Sequence, residues 1–330
     1  MVNKVDRCQP DDDRDCTIRL GISTCLLGEN VRYDGGHKLD RFLVHTLGQY
    51  VKWVPVCPEV ETGLPIPRES MRLVGDPEAP RLVTLKSGQD YTERMQTWAR
   101  KRLEQLAEAK ICGFVFKKDS PSSGLYRVKV YTEQGMPSQI GTGIFPREVM
   151  KRFPLLPLEE EGRLHDMHLR ENFIDRVFAF YRWTNLLEED PTPGALVRFH
   201  TAHKLTLMAH SPSHYQDMGR LVAQAGALPW AELTEAYGQS LMAGLGVMTS
   251  PGKHANVLQH LMGFLKDQLS SEDKAELLSY IEDYRNGLLP LIVPLTLLQH
   301  HLRRHQVPDW VHQQVYLHPY PKELMLRHYA

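Results

Sequence analysis

The chain has 330 residues, 42% of them apolar, and a net charge of −1. That length accommodates two domains with substantial cores, and the near-neutral balance excludes a global electrostatic pull toward nucleic acid or membrane. No stretch approaches the ~20 apolar residues of a membrane span.

Five cysteines, an odd number without regular spacing, argue against a disulfide framework. The start shows no secretory pattern, so the expectation is a cytoplasmic protein with neither membrane nor DNA as partner. In a reducing compartment thiols more often bind metal or react. Residues 1–17 are polar and read as a disordered tail. Cys8 and Cys16 within it read as exposed thiols without a role rather than a metal or redox pair.

Residues 18–165 alternate strand and helix signals. Ile18–Ser23 is an apolar strand ending at Cys25. Leu39, Phe42, Leu43 and Leu47 give Lys38–Tyr50 helical spacing. Lys52–Cys57 is a second strand, Glu61–Arg68 a Gly/Pro loop and Arg81–Thr84 a short strand. Asp90–Lys110 is a long helix with Met95, Trp98, Leu103 and Leu106 on its inner stripe. Ile111–Phe116 is a third main strand and Arg127–Tyr131 a fourth. Gly141–Phe145 leads into a short helix at Pro146–Arg152. This order predicts an α/β fold with a doubly wound, mainly parallel sheet. From His165 the pattern turns helical, and eight candidate helices fill an all-α domain at 166–330. Ser270 supplies an N-cap hydroxyl followed by acids, and Asn286-Gly287 closes the helix it opens.

Two thiols stand out. Cys25 and Cys57 each end a strand, and Glu59 follows two residues after the second. One buried cysteine alone is usually a small hydrophobe. A pair at matching strand ends makes a metal site on the sheet rim plausible, although zinc and iron–sulfur sites commonly use three or four ligands. Cys112 begins its strand, about 23 Å of extended chain before Asp119, and reads as core at the opposite rim. The loop at the correct rim, Ser120-Pro121-Ser122-Ser123-Gly124, offers hydroxyls. Arg32, Tyr33, Asp34 and His37 follow Cys25 in a Gly-containing turn, either orienting a ligand or forming an ordinary polar turn. His200, His203 and His210 share a helix face but lack a completing acid or thiol, and read as ordinary histidines. Residues 166–330 carry 14 Lys and Arg against 17 Asp and Glu. A helical domain of that balance does not grip RNA by charge alone.

The motifs taken together resemble the thiouracil desulfurase family. They are Ser23-Thr24-Cys25-Leu26-Leu27-Gly28 with Arg32-Tyr33-Asp34-Gly35-Gly36, then Cys57-Pro58-Glu59, then Ser120-Pro121-Ser122-Ser123-Gly124. Over residues 18–330 the chain is similar to the fused form of that family implicated in removing sulfur from 4-thiouridine in tRNA. The resemblance implies a [4Fe-4S] cluster held by three thiolates with one iron open. It carries two ligands onto Cys25 and Cys57, and the third onto Ser123, where the family has cysteine. It also implies that Glu59 and Ser120 lie beside the substrate, as a general base and a proton-relaying hydroxyl. Without it, Glu59 reads as a helix N-terminal acid and Ser120 as a turn cap. Serine is a harder, less acidic ligand than thiolate. Three readings follow: Ser123 ligates as an alkoxide, two thiolates hold the cluster weakly, or the chain is impaired. The implied function is desulfuration of 4-thiouridine in thiolated tRNA. The alternatives are the same chemistry on free 2-thiouracil or 4-thiouracil, and a non-catalytic iron–sulfur or RNA-binding module.

Overall fold

The structure is a computed structural model that describes residues 18–132 and 134–328. The tail expected at 1–17, with Cys8 and Cys16, lies outside the described residues. The chain divides into two compact units at His165/Asp166.

The first unit carries eight strands among its described residues: β1 (Arg19–Ser23), β2 (Lys52–Val56), β3 (Met71–Val74), β4 (Arg81–Thr84), β5 (Phe114–Phe116), β6 (Val128–Tyr131), β7 (Pro137–Gly141) and β8 (Leu158–Glu160). They form two sheets. The main one has order β2-β1-β5-β8 and is parallel throughout. The second has order β4-β3-β6-β7, with one parallel pair, β3 with β6, between two antiparallel ones. Arg127–Tyr131 therefore does not extend the main sheet as the sequence suggests; its residues from Val128 on form β6 of the smaller one.

The fourth main strand is β8, in a stretch that reads as a domain boundary. Its signal is hidden because two of its three residues, and the one after, are glutamates: Glu159, Glu160 and Glu161 are all buried. Each carboxylate is paired, as buried charge requires. Glu159 meets Arg163 at 2.8 Å. Glu160 Oε1 accepts the Leu125 and Tyr126 N–H groups at 2.8 and 3.0 Å. Glu161 meets Lys117 Nζ at 2.5 Å and the Lys118 N–H at 2.7 Å. These bonds knit β8 to the segment that leaves β5, and burial moves the Glu160 carboxyl above its usual range.

Among the described residues three α-helices complete the unit: α1 (Pro58–Glu61), α2 (Thr92–Glu108) and α3 (Ile144–Arg152). The predicted helix at Lys38–Tyr50 is instead a π-turn at Phe42–Thr46 followed by a 3-10 turn at Leu47–Gln49. Leu43 and Leu47 still bury as the spacing demands. Phe114 and Phe116 stack at 4.2 Å, and Phe145 of α3 closes on both edge-on. The chain runs from β1 to β2 on one side, then returns to β5 on the other. The strand order thus reverses between β1 and β5, which is where an open α/β sheet leaves a crevice at its carboxyl edge.

The second unit is helical, with α4 (Met167–Glu189), α5 (Pro193–His210), α6 (Pro212–Ala223), α7 (Trp230–Gly246), α8 (Pro251–Gly263), α9 (Ser271–Arg285), α10 (Ile292–Arg304) and α11 (Asp309–His312). Five of these start on a side-chain cap. Asp166, Thr192, Ser211, Ser250 and Ser270 accept backbone N–H groups of the first turn, and proline follows the cap at 193, 212 and 251. Each such cap contributes about 1 kcal/mol. Leu258, Leu261, Leu277, Ile281, Leu295 and Leu298 are fully buried among others in one core. Among the described residues no helix is long and apolar enough to cross a membrane.

Candidate active site at the carboxyl edge of the parallel sheet

Register fixes where the thiols fall. Ser23 pairs with Val56 and Ile22 with Val115, so β1, β2 and β5 end level. Cys25 is two residues past β1, in a 3-10 turn at Thr24–Leu27. The turn is closed by Gly28 at φ +94°, a conformation glycine adopts without strain. Cys57 is the residue after β2 and the N-cap of α1, where Glu61, not Glu59, accepts its N–H at 2.9 Å. Cys25 is buried and Cys57 half-buried. Cys112 N–H bonds to Arg19 O at 2.8 Å, beside the first residue of β1, so it sits at the opposite edge.

Burial pushes the Cys25 thiol up to about 11, against the pull of Lys117, with the neighbouring Cys57 adding to the rise. Burial also raises Cys57. Two thiols within electrostatic reach, both disfavoured as thiolates by burial, become better thiolates when a cation meets them.

The serine loop is brought to the same edge by α3. The amides of Gly143, Ile144 and Phe145 donate to the carbonyls of Gly124, Pro121 and Ser122 at 2.7, 3.3 and 3.0 Å. A Cβ on Gly143 would lie 3.0 Å from Ser122 C, Ser123 N and Gly124 N, so no larger residue lets the backbones approach this closely. Ser122 and Ser123 are buried, and Ser120 is half-buried. Ser123 Oγ forms no hydrogen bond with a described residue.

A polar chain joins the loops. Ser122 Oγ donates to Glu59 Oε1 at 2.7 Å, and Ser120 Oγ lies 3.0 Å from Ser122 Oγ. The other carboxylate oxygen, Oε2, accepts Arg68 Nε at 2.6 Å. Arg68 also donates to Val31 O at 2.8 Å, in the turn after Cys25, and Cys57 Sγ lies 4.0 Å from the same carbonyl. Glu59 and the loop of Ser120 and Ser123 are thereby joined directly, and the turn that follows Cys25 is tied to them through Arg68.

Arg68 and Ser122 are the residues that sequence reasoning missed. Ser122 was visible only as one hydroxyl of a loop. Arg68 closes a Gly/Pro stretch with no periodicity to mark it. In the turn after Cys25, Arg32 meets Asp34 at 3.3 Å and Asp34 accepts the Gly36 N–H at 3.0 Å. Lys117, the residue after β5, is paired with Glu161. In the second unit His200 meets Tyr237 OH, His203 meets Phe199 O, and His210 meets Val247 O and Asp175.

A parallel sheet with thiols, a carboxylate and hydroxyls gathered outside its carboxyl ends has the architecture of an α/β enzyme. A family model described as 2-thiouracil desulfurase matches residues 20–161, and one described as a protein of unknown function, DUF1722, matches residues 204–321. The uncharacterized protein YbgA of Escherichia coli (strain K12) is 32% identical over 157 residues, 46% of this chain and 90% of that protein. The uncharacterized protein YbbK of Bacillus subtilis (strain 168) is 32% identical over 108 residues, 31% of this chain and 71% of that protein. A solved structure, the [4Fe-4S]-dependent thiouracil desulfidase TudS, is 28% identical and covers 47% of this chain and 98% of its own, with a TM-score of 0.39. The chain belongs to the 2-thiouracil desulfurase family.

Proposed function

We propose that this protein removes sulfur from a thiolated pyrimidine without net electron transfer, and that its substrate is 4-thiouridine in tRNA. The observation that carries the reading is the Ser122–Glu59 bond of 2.7 Å, which sets the serine loop against the acid that follows Cys57 at the sheet's carboxyl edge. Sulfur is exchanged for oxygen: a thiocarbonyl and water give a carbonyl and hydrogen sulfide, so atoms and electrons balance with no other reactant.

The donor chemistry fits an iron–sulfur cluster of the [4Fe-4S] type. Cys25, buried, and Cys57, half-buried, are soft ligands, and Ser123 is a buried residue whose hydroxyl is not spent on another described residue. Those three residues would hold the group. When bound, the cluster supplies an open iron that acts as a Lewis acid toward the thiocarbonyl sulfur. The chain's own groups do the rest. Ser120 presents a half-buried hydroxyl to the substrate side, and Glu59 supplies the carboxylate behind it. Arg68 fixes that carboxylate from its other oxygen.

The helical unit is the platform that makes a large substrate the better reading, since a free base needs no second domain. Its slight acidic excess means that RNA contacts come from local arrangement. The test is sulfide release by the reconstituted full chain from 4-thiouridine-containing tRNA and from 2-thiouracil. Release from the tRNA at a kcat/KM at least about tenfold higher is expected. The reverse order makes a free base the substrate, and tRNA binding without release from either makes the chain a binding module.

A further inference from the structure

Helical spacing gathers polar residues on two faces of the second unit. His168, Glu171 and Asp175 follow one another at three and four residues along α4, and Thr206 and His210 are four apart on α5. Each set therefore shares a face. His254 of α8 and Arg327, in a 3-10 turn at Leu326–His328, line the same cavity. Asp175, Thr206, His254 and Arg327 are each less than a tenth exposed. His168 is exposed and Thr249 half-buried, so the lining runs from the surface to a buried floor.

That floor carries polar atoms with no partner among the described residues: Asp175 Oδ1, Thr206 Oγ1, His254 Nε2 and Arg327 Nε. Three of the side chains are nonetheless fixed from the far side. Asp175 Oδ2 meets His210 Nε2 at 3.1 Å, and His210 Nδ1 lies 2.8 Å from Val247 O. His254 Nδ1 lies 2.9 Å from Tyr316 OH, and Arg327 Nη1 donates to Tyr316 O at 2.6 Å. Arg327 Nε stands 3.6 Å from Glu171 Oε1, beyond hydrogen-bond length. Buried polar atoms are nearly always paired. Unpaired atoms converging on one cavity, on side chains locked at their other ends, are the pattern of a preorganised binding site.

Charge and size define what fits. A small cation would face Arg327, and a small anion would face Asp175 and Glu171. Among the described residues no three His, Cys, Asp or Glu are placed to hold a metal. The occupant is therefore a neutral group. Against burial, the His210 bond holds the Asp175 carboxyl below its usual range, so Oδ1 only accepts. Arg327 Nε only donates. The group must then both donate and accept, and the floor admits about one group the size of a water. A hydroxyl meets these conditions. A phosphate fails on charge and a nucleobase on size.

We propose that this floor takes a single ribose 2′-hydroxyl, with the rest of the sugar at the mouth beside His168 and Thr249. The source of the hydroxyl rests on the RNA reading above; the site itself does not. The 2′-hydroxyl is what distinguishes RNA from DNA. A pocket for it lets a unit with a slight acidic excess select RNA without relying on phosphates.

The experiment measures binding of the reconstituted full chain to an unmodified tRNA transcript and to an all-deoxy copy of its sequence, over a range of salt. Thr206→Val removes one hydroxyl and keeps the volume. It should weaken tRNA binding about tenfold and leave both the deoxy copy's affinity and the salt slope unchanged. Thr206→Ser should restore the loss. Equal weakening on both nucleic acids, or a changed slope, overturns the proposal, because the variant then acts through the fold or the phosphates. Unchanged tRNA binding in Thr206→Val, with sulfide release from thiolated tRNA intact, also overturns it and leaves desulfuration standing. Free uridine separates the two sources. A shift of the Thr206 methyl signal with uridine and not with 2′-deoxyuridine, in a chain that neither binds tRNA nor releases its sulfur, supports the hydroxyl site and overturns the tRNA reading instead.

Discussion

The Arg68 guanidinium sits 2.5 Å from Glu59 Oε2, with side-chain exposures of only 5% and 13%. The same guanidinium reaches Val31 O, so one residue braces both the acid and the turn after Cys25. Removing it strands a carboxylate in a poorly hydrated place. Arg68→Met should therefore lower stability by about 3 kcal/mol, read as a drop in the urea midpoint of the first unit. Arg68→Lys keeps the charge but not the fork of donors, and should recover only part of the loss. A cost below about 1 kcal/mol would mean that water screens the pair as it does an exposed one.

Cys112 separates position from residue type. It is buried like Cys25, but it lies by Arg19 at the amino edge of the sheet. Cys112→Ala should leave iron uptake on anaerobic reconstitution unchanged, at a cost of about 1 kcal/mol in stability. Cys25→Ala and Cys57→Ala should each remove most of the bound iron. Equal loss in all three variants would mean that iron binds to thiols without regard to the sheet edge.

The parts of the fold that were legible in the sequence are those where burial and period agree. The apolar runs before Cys25, before Cys57 and after Cys112 are three of the four parallel strands, and their common direction placed two thiols at one edge. The helical unit was legible because its caps are local: Thr192-Pro193, Ser211-Pro212 and Ser250-Pro251 announce helices by themselves. The fourth strand was not, because Glu159 and Glu160 bury only through partners at Arg163, Leu125 and Tyr126 that no local pattern reveals. The Lys38–Tyr50 segment kept its buried face but tightened and widened its turns. Val128–Tyr131 alternates as a half-buried strand should, and alternation does not say which of two sheets it joins. Of the site, single residues were visible and the connections were not: Arg68 to Glu59 and Ser122 to Glu59 span 9 and 63 residues.

The second unit should lose stability in mild acid. His203 and His254 are buried, and burial pushes both down to about 3, with Arg182 beside the first and Arg327 beside the second adding to it. Asp175 pulls the other way on both, and His210, Lys253 and His200 complete the titrating neighbours. A histidine whose folded value lies below its unfolded 6.5 binds its proton more readily when unfolded. Stability is thus full above about pH 6.5 and falls as pH drops toward 3. At pH 5 each costs about 2 kcal/mol. Asp175 is held below its usual range by the His210 bond, and its contribution is lost only at lower pH still. Helical circular dichroism in urea at pH 7.5 and pH 5 reads the difference, and His203→Gln should remove about half of it. An unchanged slope in that variant would place the sensitivity elsewhere.

The third ligand position is the sharpest test of the proposed centre. Ser123 lies buried in a loop held by the amides of Gly143, Ile144 and Phe145, so exchanging its oxygen for sulfur changes the donor and little of the frame. A hydroxyl gives up its proton far less readily than a thiol, and iron–sulfur clusters select soft thiolates. Ser123→Cys should therefore raise iron and acid-labile sulfide per chain after anaerobic reconstitution, toward about four of each, and raise sulfide release with it. A gain in cluster without a gain in release would mean that Ser123 limits something other than ligation. If the variant gains neither, the third ligand does not come from this loop, and the two thiols would need a different partner from the same sheet edge.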